Sequence, residues 1–142
     1  MQLGAFISSR EHMRKLTFDP PLGHITTFGG HPVSCAAGLA AHKVVEQEGL
    51  MEQALVMEKR YRERLVHPMI RGLRGRGLFL AVIMDPEMNV SRFISRAFEN
   101  GLVMDKFLFS EDAFRIAPPL IISEAEVDES IERILATLAG LA

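Results

Sequence analysis

The apolar run at residues 78–84, LFLAVIM, places the strongest constraint on the fold. It follows a glycine-rich stretch and is short for a helix. A continuous apolar run of this length is typical of a strand that is buried on both faces. Helical patterns lie before and after it along the chain. The sequence therefore predicts the α/β class, with a small sheet on which helices pack.

The ends of the helices and strands are indicated by capping residues, glycine and proline. The predicted helices are a short one capped by Ser8 and Glu11 that ends near Leu16, one from Pro32 to about Gly49, one from Leu50 to before Pro68, one between Asn89 and Gly101, and a last one capped by Ser123 and Glu126. The remaining predicted strands cover residues 3–7, 102–104, 107–109 and 114–117.

Charge and cysteine content limit the partners and the compartment. Sixteen basic and eighteen acidic residues give a net charge of −2 without a run of like charge, so neither nucleic acid nor membrane is a predicted partner. The single Cys35 cannot form an internal disulfide, and no apolar stretch approaches the roughly 20 residues of a membrane span. A cytoplasmic location is expected.

The segment HITTFGGHPVSCAAG at residues 24–38 has the chemistry of an anion site. Thr26 and Thr27 supply hydroxyl donors, and Gly29 and Gly30 allow a ligand to approach the backbone closely. Pro32 suits the first position of a helix, whose free amides attract an anion. The segment predicts a phosphate site, and the alternative is a turn and helix cap that need no ligand.

Arg115 is the candidate for binding a carboxylate. It lies between Phe114 and Ile116, so strand alternation places its side chain on the face opposite these two apolar residues. Pro118 and Pro119 fix the turn that follows. A guanidinium can donate two parallel hydrogen bonds to a carboxylate, which lysine cannot do. The alternative is a structural ion pair at the edge of the sheet.

Other motifs are weaker. The glycines at positions 72, 75 and 77 are spaced G-x-x-G-x-G before a strand, whereas the dinucleotide fingerprint is G-x-G-x-x-G after one. We therefore predict turn glycines there, with the arginines at positions 71, 74 and 76 in solvent or at an interface. His31 and Cys35 offer two metal ligands where zinc needs three or four, so no metal site is predicted. No residue is predicted to be catalytic.

Four stretches together resemble the class-III pyridoxal-phosphate aminotransferases, the group of acetylornithine, ornithine and 4-aminobutyrate aminotransferases. The segment at residues 24–38 is similar to the family signature T-[FY]-G-G-N-P-x-x-C/A-A-A, and LGAFISSRE, RGRGLFLAV and FRIAPPLIIS follow the family order. The resemblance implies the C-terminal part of a fold type I pyridoxal-phosphate-dependent transferase. Residues 1–48 would be a remnant of the large cofactor domain with its linking helix, and residues 49–142 the small C-terminal domain.

The resemblance also implies roles for individual residues. Thr27, with Thr26, would hold the pyridoxal 5'-phosphate of the neighbouring subunit in a homodimer, and Arg115 would bind the carboxylate of an amino acid or a 2-oxo acid. His31 stands where the family usually has asparagine, and no role is assigned to it. The cofactor lysine of the family precedes the matched region, so the chain is expected to lack it and to be unable to transaminate alone. A same-family aminomutase or decarboxylase, and a non-catalytic truncated interaction domain, remain alternatives.

Overall fold

The computed structural model describes residues 3–19, 21 and 23–141, and the chain divides into two compact units, Met1–Glu48 and Gly49–Ala142. The described part of the first unit contains α1 (Arg10–Lys15) and α2 (Pro32–Gln47). The predicted cap of α1 is wrong by one residue, because Ser9 rather than Ser8 accepts a hydrogen bond from the His12 amide, at 3.3 Å.

The strand predicted at residues 3–7 is also wrong, since these residues have no regular secondary structure. A strand needs a neighbour to pair its backbone groups. The described residues of the first unit contain only one isolated bridge, between Phe18 and Pro21. Helix α2 begins at Pro32 as predicted, and none of its residues is buried within the chain.

The second unit is a four-stranded antiparallel sheet packed against three helices, which confirms the α/β class. Along the chain its elements are α3 (Leu50–Arg64), β1 (Ile70–Arg76), β2 (Phe79–Met84), α4 (Val90–Glu99), β3 (Asp105–Phe107), β4 (Ser110–Ile116) and α5 (Glu124–Ala139). The strand order is β1-β2-β4-β3, and every neighbouring pair is antiparallel.

The core lies between one face of the sheet and helices α3, α4 and α5. Its largest buried side chains include Tyr61, Phe93 and Phe114, and the Phe93 and Phe114 rings lie 4.7 Å apart between centroids. Strand β2 corrects a prediction, because Leu80, Val82 and Met84 are buried on one face, whereas Phe79 on the other face is exposed and the remaining residues of that face are only partly buried. The helices cover only one side of the sheet, as is common for antiparallel sheets.

Strand β1 was not predicted, and the interpretation of its glycines as turn residues is wrong. Residues 70–76 pair with β2 over nearly their whole length. Gly75 has φ 127°, and a Cβ there would overlap the Phe79 carbonyl oxygen, so this close antiparallel approach requires glycine. Only the turn glycine Gly77, with φ 58°, fits the prediction. Arg71 is exposed, as predicted, and pairs with Asp85 at 3.0 Å.

Local signals predicted the later helices well. The Asn89 side chain accepts a hydrogen bond from the Arg92 amide at 2.9 Å, and Ser123 with Glu126 forms a complete capping box. The three short strands predicted at residues 102–104, 107–109 and 114–117 are observed as two strands at shifted positions: residues 102–104 precede β3, and residues 108–109 form the turn between β3 and β4. Strand β4 begins at Ser110, four residues before its predicted start.

Helix α3 supports the β1–β2 hairpin through Glu58 and Arg62. The Arg62 guanidinium donates to the carbonyl oxygens of Leu73 at 2.8 Å and Gly75 at 3.1 Å. Glu58 accepts hydrogen bonds from Arg62 at 2.9 Å and from the Gly77 amide at 2.5 Å. The hydrogen bond from the Gly77 amide is the main cause that lowers the pKa of Glu58. Arg62 lowers this pKa further, and desolvation opposes both effects.

Glu58→Gln is expected to lower the free energy of unfolding at neutral pH by about 1 kcal/mol, since a charged acceptor becomes neutral. Because the folded pKa of Glu58 lies below its ordinary 4.5, the carboxylate stabilises the fold above that value. This contribution is lost as the pH falls through the folded pKa. Urea unfolding from pH 7 to pH 3 measures it. Glu63→Gln is the control, because the exposed Glu63 of the same helix has Lys59, at 3.7 Å, as its ion-pair partner among the described residues.

Candidate substrate and cofactor site

Strand β4 holds Arg115 between two neighbouring strands. Its register partners are Ala81 on β2 and Asp105 on β3. Phe114 and Ile116 point into the core, while the Arg115 side chain is 34% exposed on the other side of the strand. The guanidinium carbon lies 5.9 Å from the centroid of the Phe79 ring, so the cation also packs over an aromatic face.

The Arg115 guanidinium forms an ion pair with Asp105 through Nη2. The structural ion pair weighed as an alternative is therefore present. It uses one of the five N–H donors of a guanidinium. Nε and Nη1 have no hydrogen-bond partner among the residues that the structure describes, so Arg115 retains donors for a second acceptor.

Arg115 and Asp105 both line a cavity of about 350 Å³. Most of its other walls are apolar, and they come from residues 102–104, from the proline turn after β4 and from Ile134 on α5. Such a cavity, with a few polar groups in an apolar lining, is typical of a small-molecule site. A carboxylate-bearing ligand could place its charge on Arg115 and its carbon chain against the apolar walls.

Tyr61 and Ser130 contribute the remaining polar groups of this cavity. The Tyr61 hydroxyl is hydrogen-bonded to Ser130 Oγ at 2.7 Å. Burial raises the pKa of Tyr61 against the opposing effect of that hydrogen bond, so the phenol stays neutral at physiological pH. Beside this pair, Arg60 of α3 forms an ion pair with Asp128 of α5 and so links the two helices. The Arg60 guanidinium lowers the pKa of Asp128 to about 2.

Thr26 and Thr27 lie at a turn before α2. Thr26 and Thr27 are exposed, and neither hydroxyl is hydrogen-bonded to another described residue. The Gly29 amide donates to the Thr26 carbonyl at 3.1 Å, and a Cβ at Gly29 would lie 2.9 Å from Thr26 Oγ1. Gly30 has φ 71°, which favours glycine. The turn thus presents two free hydroxyls beside two glycines.

His31 occupies the N-cap of α2, and its side chain makes no capping hydrogen bond. Amides in the first turn of this 16-residue helix therefore lack a side-chain acceptor, as an anion site requires. These hydroxyl and amide donors fit a phosphate group. Among the described residues no group of three or more His, Cys, Asp or Glu side chains could hold a metal ion. No described helix has the length and apolar character needed to cross a bilayer.

Asp105, Tyr61 and Ser130 are site residues that the sequence analysis missed. Asp105 becomes Arg115's neighbour only through the register of β3 and β4, which shifts between Lys106 and Phe107. A hairpin assignment for residues 105–116 would have been the signal. Tyr61 lies in the helix predicted from Leu50 to before Pro68, and a helix assignment says nothing about the cavity at its hydroxyl.

Comparison with known proteins identifies the family. The sequence matches the family described as Aminotransferase class-III over residues 1–138. It is 33% identical over 135 residues to the acetylornithine aminotransferase of Caldanaerobacter subterraneus subsp. tengcongensis, covering 92% of this chain and 33% of that protein. It is 37% identical over 125 residues to the ornithine aminotransferase of Exiguobacterium sp., covering 86% of this chain and 30% of that protein.

The fold of this chain is similar to part of a solved ornithine aminotransferase structure. An ornithine aminotransferase from Toxoplasma gondii, crystallised with oxidised glutathione and described as having partial occupancy of PLP at its active site, superposes with a TM-score of 0.73 at 30% identity. The match covers 88% of this chain and 30% of that one.

The chain belongs to the class-III aminotransferase family. Its relatives named above are ornithine and acetylornithine aminotransferases, and the chain spans about a third of their length.

Proposed function

We propose that the chain is the C-terminal portion of a pyridoxal-phosphate-dependent aminotransferase that moves an amino group between an amino acid and a 2-oxo acid. The amino acid is of the ornithine, acetylornithine or 4-aminobutyrate type. The position of Arg115 in the wall of a largely apolar cavity carries this proposal, because it provides a fixed cation for a substrate carboxylate. The family match and the relatives' activities support it.

In this proposal Arg115 orients the substrate by its carboxylate. Holding the substrate in one geometry reduces the entropy cost of the reaction. Phe79 beneath the guanidinium and the strand neighbours on both sides limit its movement. The apolar walls exclude water from the carbon chain of the substrate, which strengthens the charge pairing.

Thr26 and Thr27 hold the phosphate of pyridoxal 5'-phosphate, and the site is shared between the subunits of a homodimer. Two observations support this assignment: the Thr26 and Thr27 hydroxyls are exposed and have no partner among the described residues, and the His31 side chain does not cap α2. When bound, the cofactor acts as an electron sink for the amino-transfer chemistry. The unit Met1–Glu48 belongs to the large cofactor domain, and the unit Gly49–Ala142 is the small C-terminal domain.

We infer from the family resemblance that the cofactor lysine precedes the matched region, so the 142-residue chain alone is inactive in this proposal. Neither Lys15 nor Lys106 has a setting suited to that role. Lys15 is exposed, and the exposed Lys106 contacts Ser91 Oγ at 3.3 Å. A lysine used for covalent chemistry normally has a desolvated or electropositive environment.

The full-length enzyme is expected to transfer the amino group of ornithine, N-acetylornithine or 4-aminobutyrate to 2-oxoglutarate, with glutamate formed in equal amount. The isolated chain with pyridoxal phosphate is expected to form none. Amino-acid analysis with isotope-labelled donors measures both. Borohydride treatment of the isolated chain should leave no single lysine stoichiometrically modified.

The products separate the proposal from its alternatives. Release of carbon dioxide would identify a decarboxylase, and migration of the amino group within one molecule would identify an aminomutase. Turnover by the isolated chain, or stoichiometric modification of Lys15 or Lys106, would contradict its proposed inactivity. A full-length protein with no reaction on any donor would favour an interaction domain.

A further inference from the structure

Asp105 lies beside the position that a substrate carboxylate would take on Arg115. It faces Arg115 directly across the β3–β4 pair, and its carboxylate accepts from Arg115 Nη2. Both residues line the same cavity. A ligand that reaches Arg115 through this cavity therefore meets a guanidinium that already holds a carboxylate.

The charges in the cavity make a substrate carboxylate and Asp105 compete for Arg115. Arg115 is the only cationic side chain among the described residues that line the cavity, and Asp105 is the only carboxylate. The two charges neutralise each other, so a second carboxylate gains less from the cavity than it would from an unpaired arginine. An oxygen of that carboxylate must either share the guanidinium with Asp105 or replace it.

Because Asp105 is exposed, a substrate carboxylate can replace it on Arg115. The Asp105 side chain is 61% exposed, and exposed ion pairs contribute little because water and salt screen them. Once released, the carboxylate can be solvated without rearrangement of the strand. The pair can therefore weaken substrate binding without preventing it.

We propose that Asp105 is an internal competitor that occupies the carboxylate site of Arg115 and so sets the affinity for carboxylate substrates. This rests on the proposed role of Arg115 in binding the substrate. The opposing interpretation is that Asp105 positions Arg115 for the substrate. The two differ in sign, because removing a competitor tightens binding and removing a positioning residue weakens it.

The test is an NMR titration of the 142-residue chain with 2-oxoglutarate as the probe, followed at the backbone amide signals of Val103, Met104 and Ile116, which line the cavity in every variant. Asp105→Asn is expected to lower the dissociation constant of 2-oxoglutarate about two- to fivefold, which is the size of effect expected for the loss of an exposed ion pair. Glu111→Gln is the matched control, since it makes the same change in net charge on β4 and Glu111 has no hydrogen bond or ion pair with a described residue. Arg115→Ala should abolish the binding.

In the full-length enzyme, Asp105→Asn should lower the KM for the oxo acid by the same factor and leave kcat unchanged. Unchanged or weaker binding in Asp105→Asn, with binding still lost in Arg115→Ala, would overturn the competitor role and leave the proposed function intact. An equal gain in Glu111→Gln would also overturn it, because net charge alone would then explain the effect. Binding that survives Arg115→Ala would overturn both proposals.

Discussion

Arg115→Ala is expected to raise the KM of the full-length enzyme for its carboxylate substrate by about 30- to 800-fold, equivalent to about 2 to 4 kcal/mol for the loss of a charge-assisted pair. Alanine leaves an apolar cavity with Asp105 on its wall, so the substrate carboxylate then meets a like charge. Steady-state kinetics with the amino donor and the oxo acid varied separately measure the change.

Two variants separate the parts of this effect. Arg115→Lys keeps the charge but loses the planar fork, so its KM should lie between those of the native enzyme and the alanine variant. Arg96→Ala is the control for net charge, because Arg96 is an exposed residue of α4 that pairs with Glu99 at 2.6 Å. A native KM in Arg115→Ala would remove Arg115 from the site.

Stability should change little in Arg115→Ala. The side chain is one-third exposed, and its ion partner Asp105 is more exposed still. Pairs of this kind contribute at most about 1 kcal/mol to folding. A large kinetic effect with a small change in unfolding is therefore the pattern that distinguishes substrate binding from support of the sheet.

An element of the fold can be predicted from the sequence when the interactions that form it are local along the chain. The Asn89 cap and the Ser123–Glu126 box act within one helical turn, and the structure contains both where they were predicted. Strand β1 depends on a partner instead. Its sequence IRGLRGR contains two glycines, which disfavour a strand, beside three arginines, and pairing with β2 and the α3 contacts hold it in the sheet.

The residues of the candidate site differ in the same way. Arg115 could be found because strand alternation and the following prolines are local features. Asp105 could not, because its position opposite Arg115 requires the register of a hairpin whose first strand has only three residues. The roles of Thr26 and Thr27 remain predictions, since their geometry fits a phosphate and a ligand-free turn alike.

Phe114→Ala is expected to lower the free energy of unfolding by about 3 to 5 kcal/mol, the usual cost of truncating a buried phenylalanine. Phe114 is fully buried, and its ring packs against Phe93 of α4 at 4.7 Å. Urea or thermal unfolding measures the loss. Phe109→Ala is the matched control, because Phe109 is fully exposed in the turn between β3 and β4 and should change stability by less than about 0.5 kcal/mol.

Phe114 also connects the core with the site, since Arg115 is the next residue on the same strand. A cavity left beneath β4 relaxes only in part, and any shift of the strand moves the guanidinium. Phe114→Leu keeps most of the buried volume, so it should retain substrate affinity while losing only part of the stability. If Phe114→Ala had the same urea midpoint of unfolding as the native protein, the packing of α4 against β4 would contribute nothing to stability. It would then not be what holds Arg115 in place.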